Sequence, residues 1–184
     1  MIALSQGGNI ETARAYDFSV CRRVVDVGGG HGQLLSAIVT LNPHLTGVLL
    51  DLPAGIEAAH RGVGGPLPRC ELVAGDFFVE VPAADTYVIK KVIHDWDDGR
   101  ALTILKNCRR AMEPGGRVLV IETIVPPGNG PDPIKLMDVN MLVVTGGMER
   151  TKADYERLFT TAGLRLVRVL PTDAPLSILE AAAD

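Results

Sequence analysis

Apolar residues along this chain keep two rhythms that alternate. One is a short β-branched or aliphatic run: Val24, Val25 and Val27, then Val48-Leu-Leu50, Leu72-Val73, Val88-Ile89 and Val118-Leu-Val-Ile121. The other is helical spacing, as in Leu34, Leu35, Ile38 and Leu41, or in Tyr155, Leu158 and Phe159. Runs of the first kind suit strands buried on both faces, and sets of the second kind suit helices with one apolar stripe. Their alternation predicts an α/β chain with a doubly wound, Rossmann-like sheet.

Taken in order, a short helix is expected through Ile10 to Tyr16, ahead of the first strand. The helix that carries Leu34 to Leu41 stops at Asn42-Pro43. Thr46 to Asp51 reads as a second strand, and Pro53 opens the next helix. After a glycine- and proline-rich loop from Gly62 to Arg69, a third strand runs from Cys70 to Asp76. A fourth, Asp85 to Ile93, runs straight into His94. Asp97 caps a helix that carries Leu102, Leu105 and Met112 and stops before Pro114-Gly-Gly116. Arg117 to Glu122 is a fifth strand. A proline-rich loop from Pro126 to Pro133 leads to a helix over 135–144, broken by Gly146-Gly147. Thr151 and Asp154 have capping-box spacing, with Asp in place of Glu, and Gly163 closes that helix. The last two strands, Leu164 to Leu170 and Leu176 to Leu179, are joined so tightly that they predict an antiparallel pair at the sheet edge, seven strands in all.

The first strand enters Asp26-Val-Gly-Gly-Gly-His-Gly-Gln33, a glycine turn that opens a helix. Such a turn lets a ligand approach backbone N–H groups at a helix N-terminus. The dinucleotide fingerprint requires glycine at its sixth position, where this chain has Gln33, so a nicotinamide cofactor is disfavoured. Asp51 has two readings: a partner for a ribose hydroxyl pair, or an N-cap for the helix at Pro53. Gly28, Asp51, Asp76, His94 and Glu122 all fall at or just past strand C-termini, the edge at which open parallel sheets bind ligands.

Composition adds boundaries. The 184 residues suit one domain, and the net charge of −4 argues against nucleic acid as the main partner. No apolar run reaches membrane-spanning length, and Met1 to Leu4 is too short for a signal peptide. Cys21, Cys70 and Cys108 lack metal-ligand spacing and read as reduced thiols of a cytoplasmic protein. His31, His44 and His60 are scattered, so they read as structural and no metal site is expected.

Lys90-Lys-Val-Ile-His-Asp-Trp-Asp-Asp98 carries the candidate chemistry. A phenol of pKa roughly 10 becomes a competent nucleophile when a base near neutrality takes its proton, and imidazole suits that task. A carboxylate on the second ring nitrogen of His94 would fix its tautomer. Glu122, one strand over, and Glu149, in Gly146-Gly-Met-Glu-Arg150, are both candidates.

From about Tyr16 onward the chain resembles the S-adenosylmethionine (SAM)-dependent O-methyltransferases of the caffeate, hydroxyindole and bacterial polyketide type. The matching pieces are Val25 to Gly32, Asp51-Leu-Pro53, Gly75-Asp-Phe-Phe78, Lys90 to Asp98, Leu105-Lys-Asn-Cys108 and Gly146 to Thr151. The resemblance implies the seven-stranded SAM-methyltransferase sheet with its C-terminal antiparallel hairpin, and SAM as cofactor with S-adenosylhomocysteine as product. It implies that Gly28 and Gly30 meet the cofactor's amino-acid end and Asp51 its ribose. Leu52, Asp76 and Phe77 would also hold the cofactor, the last two bracketing the adenine with Lys90 nearby. His94 would be the base, flanked by Glu122 and Glu149, while Met141 and Thr145 would line the pocket of a small hydroxylated acceptor. Family members form homodimers through an N-terminal helical domain. Residues 1–15 read as a remnant of that region and 16–184 as the catalytic domain, so dimerisation is not expected to follow the family. Some relatives use the same site for hydroxylation, and a chain without the helical domain could bind SAM without turnover; both stand beside methyl transfer as alternatives.

Overall fold

The computed structural model describes residues 8–62, 67–128, 130, 132–172 and 175–183. The start of the chain at 1–7, the middle of the 62–69 loop, parts of the 126–133 loop and the centre of the 171–175 link lie outside the described residues.

The alternation of side chains along the first strand, β1 (Arg23–Val27), organises the fold. Val25 and Val27 face one apolar cluster while Val24 faces a second on the opposite side of the sheet. The strands on either side are parallel to it, β2 (Thr46–Asp51) and β4 (Ala84–Lys90). Beyond β2 lies β3 (Cys70–Ala74), and beyond β4 lies β5 (Met112–Glu122), also parallel. The hairpin β8 (Leu164–Pro171) and β9 (Ser177–Ala183) completes the sheet, with order β3-β2-β1-β4-β5-β9-β8. β9 is antiparallel to both its neighbours and lies between β5 and β8, so only β8 of the hairpin is an edge.

Helices α1 (Asn9–Arg14), α2 (Gln33–Leu41) and α3 (Pro53–His60) cover one face. Helices α4 (Asp98–Ala111) and α6 (Lys152–Thr161) cover the other, burying Ile104, Leu105, Tyr155 and Phe159. Full burial of each such side chain stabilises by roughly 1.5–3 kcal/mol, so two clusters of this kind account for the three-layer arrangement. α4 begins at the expected cap, with Asp97 accepting from Arg100 N at 2.9 Å. The capping box at Thr151 and Asp154 forms as its spacing implies. Helix α5 (Pro133–Val144) differs from the rest: Leu136, Leu142, Val143 and Val144 are exposed. No helix among the described residues is long and apolar enough to cross a membrane.

Several boundaries depart from the expectations, each for a local reason. The fourth strand ends at Lys90 rather than Ile93, because Lys91 turns into the left-handed region (φ 54°) and Ile93–Asp95 form a 3-10 turn. Met112 leaves the helix and starts β5, pairing with Ala84. The cap of α3 is Leu52, not Asp51, and Asp51 directs its carboxylate elsewhere. A second, two-stranded sheet lies beyond the seven expected strands: β6 (Ile124–Val125) pairs in parallel with β7 (Arg150–Thr151).

Candidate active site

Chain order reverses between β1 and β4, since β2 and β3 lie on one side and β4 and β5 on the other. Connections leave such a point in opposite directions and open a crevice at the strand C-termini. A cleft of about 230 Å³ lies there, lined among others by Asp26, Gly28, Gly30, His31 and Lys90. The glycine turn has left-handed backbone at Gly28, Gly30 and Gly32, and among the described residues no atom beyond its chain neighbours lies within 4 Å of where a side chain on Gly30 would begin. Asp51 holds this turn in place. Its Oδ2 accepts from Gly30 N and its Oδ1 from Leu52 N, both at 2.7 Å.

Asp26 is fully buried at the edge of the cleft, and its Oδ2 makes no hydrogen bond among the described residues. Burial pushes its carboxyl up to about 7, against the opposing pull of Lys90. Lys90 is itself held below its ordinary range, by burial first and then by Lys91, and its Nζ donates to Asn9 Oδ1 on α1. Lys90 thus sits on the glycine side of the cleft. Phe77 approaches from beyond β3: its ring lies 3.2 Å from the position a Cβ on Gly28 would take, and Asn107 Nδ2 fixes its carbonyl at 2.8 Å. Asp76 Oδ1 caps the adjoining turn by accepting from Phe78 N at 2.8 Å. Trp96 packs edge-on against Phe77 and Phe78.

A second group assembles where β4, β5 and the loop before β7 converge. His94 Nδ1 lies 3.0 Å from Glu149 Oε1 and 3.5 Å from Glu122 Oε2, so both candidate carboxylates stand on one side of the ring. Glu122 Oε1 also accepts from His94 N at 3.3 Å. Nε2 has Asp95 Oδ1 at 3.7 Å. A strand pair and one side chain make this meeting work. The β6–β7 pair begins just past Glu122 and just past Glu149, which draws the two carboxylates together. Asp138 on α5 accepts from Glu149 N at 2.8 Å and anchors the loop from the other side.

Burial opposes a charged His94, but the hydrogen bond to Glu149 and the charges of Glu122, Glu149 and Asp95 outweigh it and raise its pKa above the ordinary 6.5. Glu122 is fully buried, and desolvation pushes it up to about 7 despite the opposing effect of His94. The ligand atoms of this trio lie within 4.8 Å of one another, a donor set that a divalent cation would also accept. The expectation of no metal, drawn from His31, His44 and His60, does not weigh this trio.

The structure therefore gathers Gly28, Gly30 and Lys90 at one cleft, with Asp51 supporting the turn, and His94, Glu122 and Glu149 at another point of the same sheet edge. Met141 and Thr145 lie at the end of α5, where the Thr145 hydroxyl donates to Met141 O and accepts from Gly147 N. Their polar contacts are with the helix end itself. Leu52 is exposed at the top of β2. Three residues escaped the reading of the sequence. Asn9 and Asp138 act through partners 81 and 11 residues away. Arg150, whose charge marks it for the surface, is 1% exposed.

Residues 8–165 match the O-methyltransferase domain family. The chain is 48% identical over 173 residues to the phenazine O-methyltransferase of Lysobacter antibioticus, covering 91% of this chain and 50% of that protein. It is 43% identical over 159 residues to the aclacinomycin 10-hydroxylase of Streptomyces purpurascens, covering 84% and 42%. The structure of a methyltransferase of calicheamicin biosynthesis, bound to S-adenosylhomocysteine (SAH), superposes with a TM-score of 0.89 at 42% identity, over 98% of this chain and 54% of that one. The chain spans about half the length of the curated relatives it matches. With this match running over most of its length, the chain belongs to the O-methyltransferase domain family.

Proposed function

We propose that this chain moves a methyl group from SAM to a hydroxyl of an aromatic or polyketide-like small molecule, with His94 as general base. The observation that carries the reading is the placement of both carboxylates on the Nδ1 side of His94. A carboxylate is an acceptor only, so the neutral ring keeps its proton on Nδ1 and offers the Nε2 lone pair. That nitrogen takes the acceptor's proton as its oxygen forms the bond to carbon, and the imidazolium is then stabilised by Glu149 and Glu122. SAM supplies, when bound, an electrophilic methyl on a sulfonium that becomes a neutral thioether.

The cleft suits such a cofactor. Asp26 brings a buried carboxyl oxygen without a partner, the open space at Gly30 admits close approach, and Asp51 presents a carboxylate at the neighbouring strand end. Gly28, Gly30 and Lys90 would take the amino-acid end, Asp51 the ribose, and Leu52, Asp76 and Phe77 the adenine. Met141 and Thr145, on the helix that leads to Glu149, are assigned to the acceptor side. The net charge of −4 supports a small-molecule acceptor over nucleic acid.

Incubation with labelled SAM and a panel of phenols is the direct test, with methylated product expected. Bound SAM with no product from any phenol would leave a binding module, and oxygenated product would favour the chemistry named for the aclacinomycin relative. Asp51→Ala is expected to weaken SAM binding by about 1–3 kcal/mol, since a charge-assisted bond is lost and the Gly30 N–H loses its anchor. Calorimetry checks this, and an unchanged affinity removes Asp51 from the site. Treatment with a strong chelator is expected to leave turnover unchanged, because a cation on Nδ1 would displace the proton that Glu149 accepts. Turnover that vanished on chelation and returned with zinc would make the His94 trio a metal centre instead.

A further inference from the structure

We infer that Arg150 is a positioning residue that holds the His94 turn and the Glu149 loop in register, through a buried guanidinium that bonds to backbone on both sides of the pair. The inference rests on the reading of His94 as the general base. Arg150 is the largest side chain with essentially no exposure in the described structure. Its Nη1 donates to Ile93 O at 3.0 Å and Met148 O at 3.4 Å, and its Nη2 donates to Trp96 O at 2.8 Å. Ile93 and Trp96 bracket His94, while Met148 precedes Glu149. One planar group thus bonds to the chain before and after the base and to the chain just before its carboxylate partner.

Asp98, the second residue of the Asp97-capped turn, supplies the counter-charge. Its Oδ1 accepts from Arg150 Nε and Nη2 at 2.9 and 2.8 Å. Taking a guanidinium out of water is costly, and this one is retained at a place where its donors find four acceptors on two segments. A hydrophobic side chain would fill the volume without fixing either segment. The alignment at stake is narrow: Glu149 Oε1 and His94 Nδ1 are 3.0 Å apart, with the charged or titratable groups around the ring being Glu122 from β5, Glu149 from the loop and Asp95 from the turn. A displacement of either segment by about 1 Å breaks that bond, and misplacement on this scale costs on the order of 10²-fold in rate.

The readout that separates positioning from plain stabilisation is the tautomer of His94, read by long-range ¹H–¹⁵N spectra of the whole chain at a pH where the ring is neutral. Wild type is expected to hold the proton on Nδ1. In Arg150→Met the Nε2–H form should appear, methyl transfer should fall by roughly 10²-fold, and SAM affinity by calorimetry should not change. Arg150→Lys keeps the charge but presents a single ammonium that cannot span the four acceptors, so it is expected to show the same two changes in smaller measure. If Arg150→Met does not fold, Arg150→Lys decides. Variants with a wild-type tautomer and rate, and only a lower melting temperature, would overturn the inference and make Arg150 structural. The base assignment fails separately, through full turnover in His94→Ala.

Discussion

Replacing His94 with alanine is expected to lower methyl transfer by roughly 10²–10⁴-fold at neutral pH, the usual worth of a positioned base. SAM affinity should stay at its wild-type value, because the polar groups proposed for the cofactor, at the glycine turn, Asp51, Asp76 and Lys90, are none of the groups bonded to the imidazole. Acidic phenols, which ionise without help, should recover part of the lost rate as pH rises; weakly acidic hydroxyls should not. The wild-type profile has a definite sign. A base works unprotonated, so the rate should climb with pH through the pKa of His94, whose half-rise lies above 6.5 because Glu149 and Glu122 favour the charged ring. Glu149→Gln removes one of those influences: the half-rise should move to lower pH, and the rate loss should be milder than for His94→Ala. Initial rates across pH with SAM in excess check all of this. Full turnover by His94→Ala on a weakly acidic hydroxyl would leave proximity alone as the source of rate.

Gly147→Ala should be nearly as harmful, without touching any ionisable group. A Cβ at Gly147 would lie 2.0 Å from His94 O and 2.5 Å from the Asp95 carbonyl carbon. Both are backbone atoms of the turn that carries His94, and the next residue already bonds there, Met148 N donating to His94 O at 2.9 Å. The clash has no flexible side chain to absorb it, so loop and turn must part. Overpacking of this kind typically costs about 1–3 kcal/mol and at times more, and the parted pair should lose on the order of 10²-fold in rate. Gly146→Ala is the control. Gly146 has φ 74° but no described residue beyond its chain neighbours near its would-be Cβ, so alanine there should cost about 1–2 kcal/mol in backbone strain and leave the rate close to wild type. Denaturation curves and initial rates on the two variants separate close approach from conformational strain. Equal rates in both would mean that the loop does not need to touch the turn.

The contrast between Gly146 and Gly147 also marks where the sequence is legible. Local chemistry reads well: valine runs with a glycine turn, an Asp97 cap, a Thr151–Asp154 box and an Asn42 stop all depend on residues within a turn of one another. Strand ends at Asp51 and Glu122 follow from the same rules. Misreadings come from distant partners. Val92 and Ile93 resume the apolar pattern after two lysines, yet the strand stops before them because Lys91 takes a left-handed turn and the Gly146–Arg150 loop must dock on the carbonyls beyond. Asp51 has the composition and position of a cap, but Gly30, 21 residues earlier, claims one of its oxygens. Gly147 looks like half of a helix stop, and only the path of the His94 turn reveals why it has no side chain. Arg150 gives no local signal of its burial, since a charged residue beside a glutamate reads as surface.

β9 sits inside the sheet although it is the last of the described strands in chain order. As the polypeptide emerges from the ribosome, β1 to β5 can assemble in sequence, yet the outer edge of β5 waits with Val118, Val120 and the Glu122 backbone unpaired until residues 177–183 arrive. A bare hydrophobic edge invites pairing with another nascent chain. The half-finished molecule should therefore be the aggregation-prone one, and yield in the cell should respond to chaperones and to translation speed more than to the stability of the finished fold.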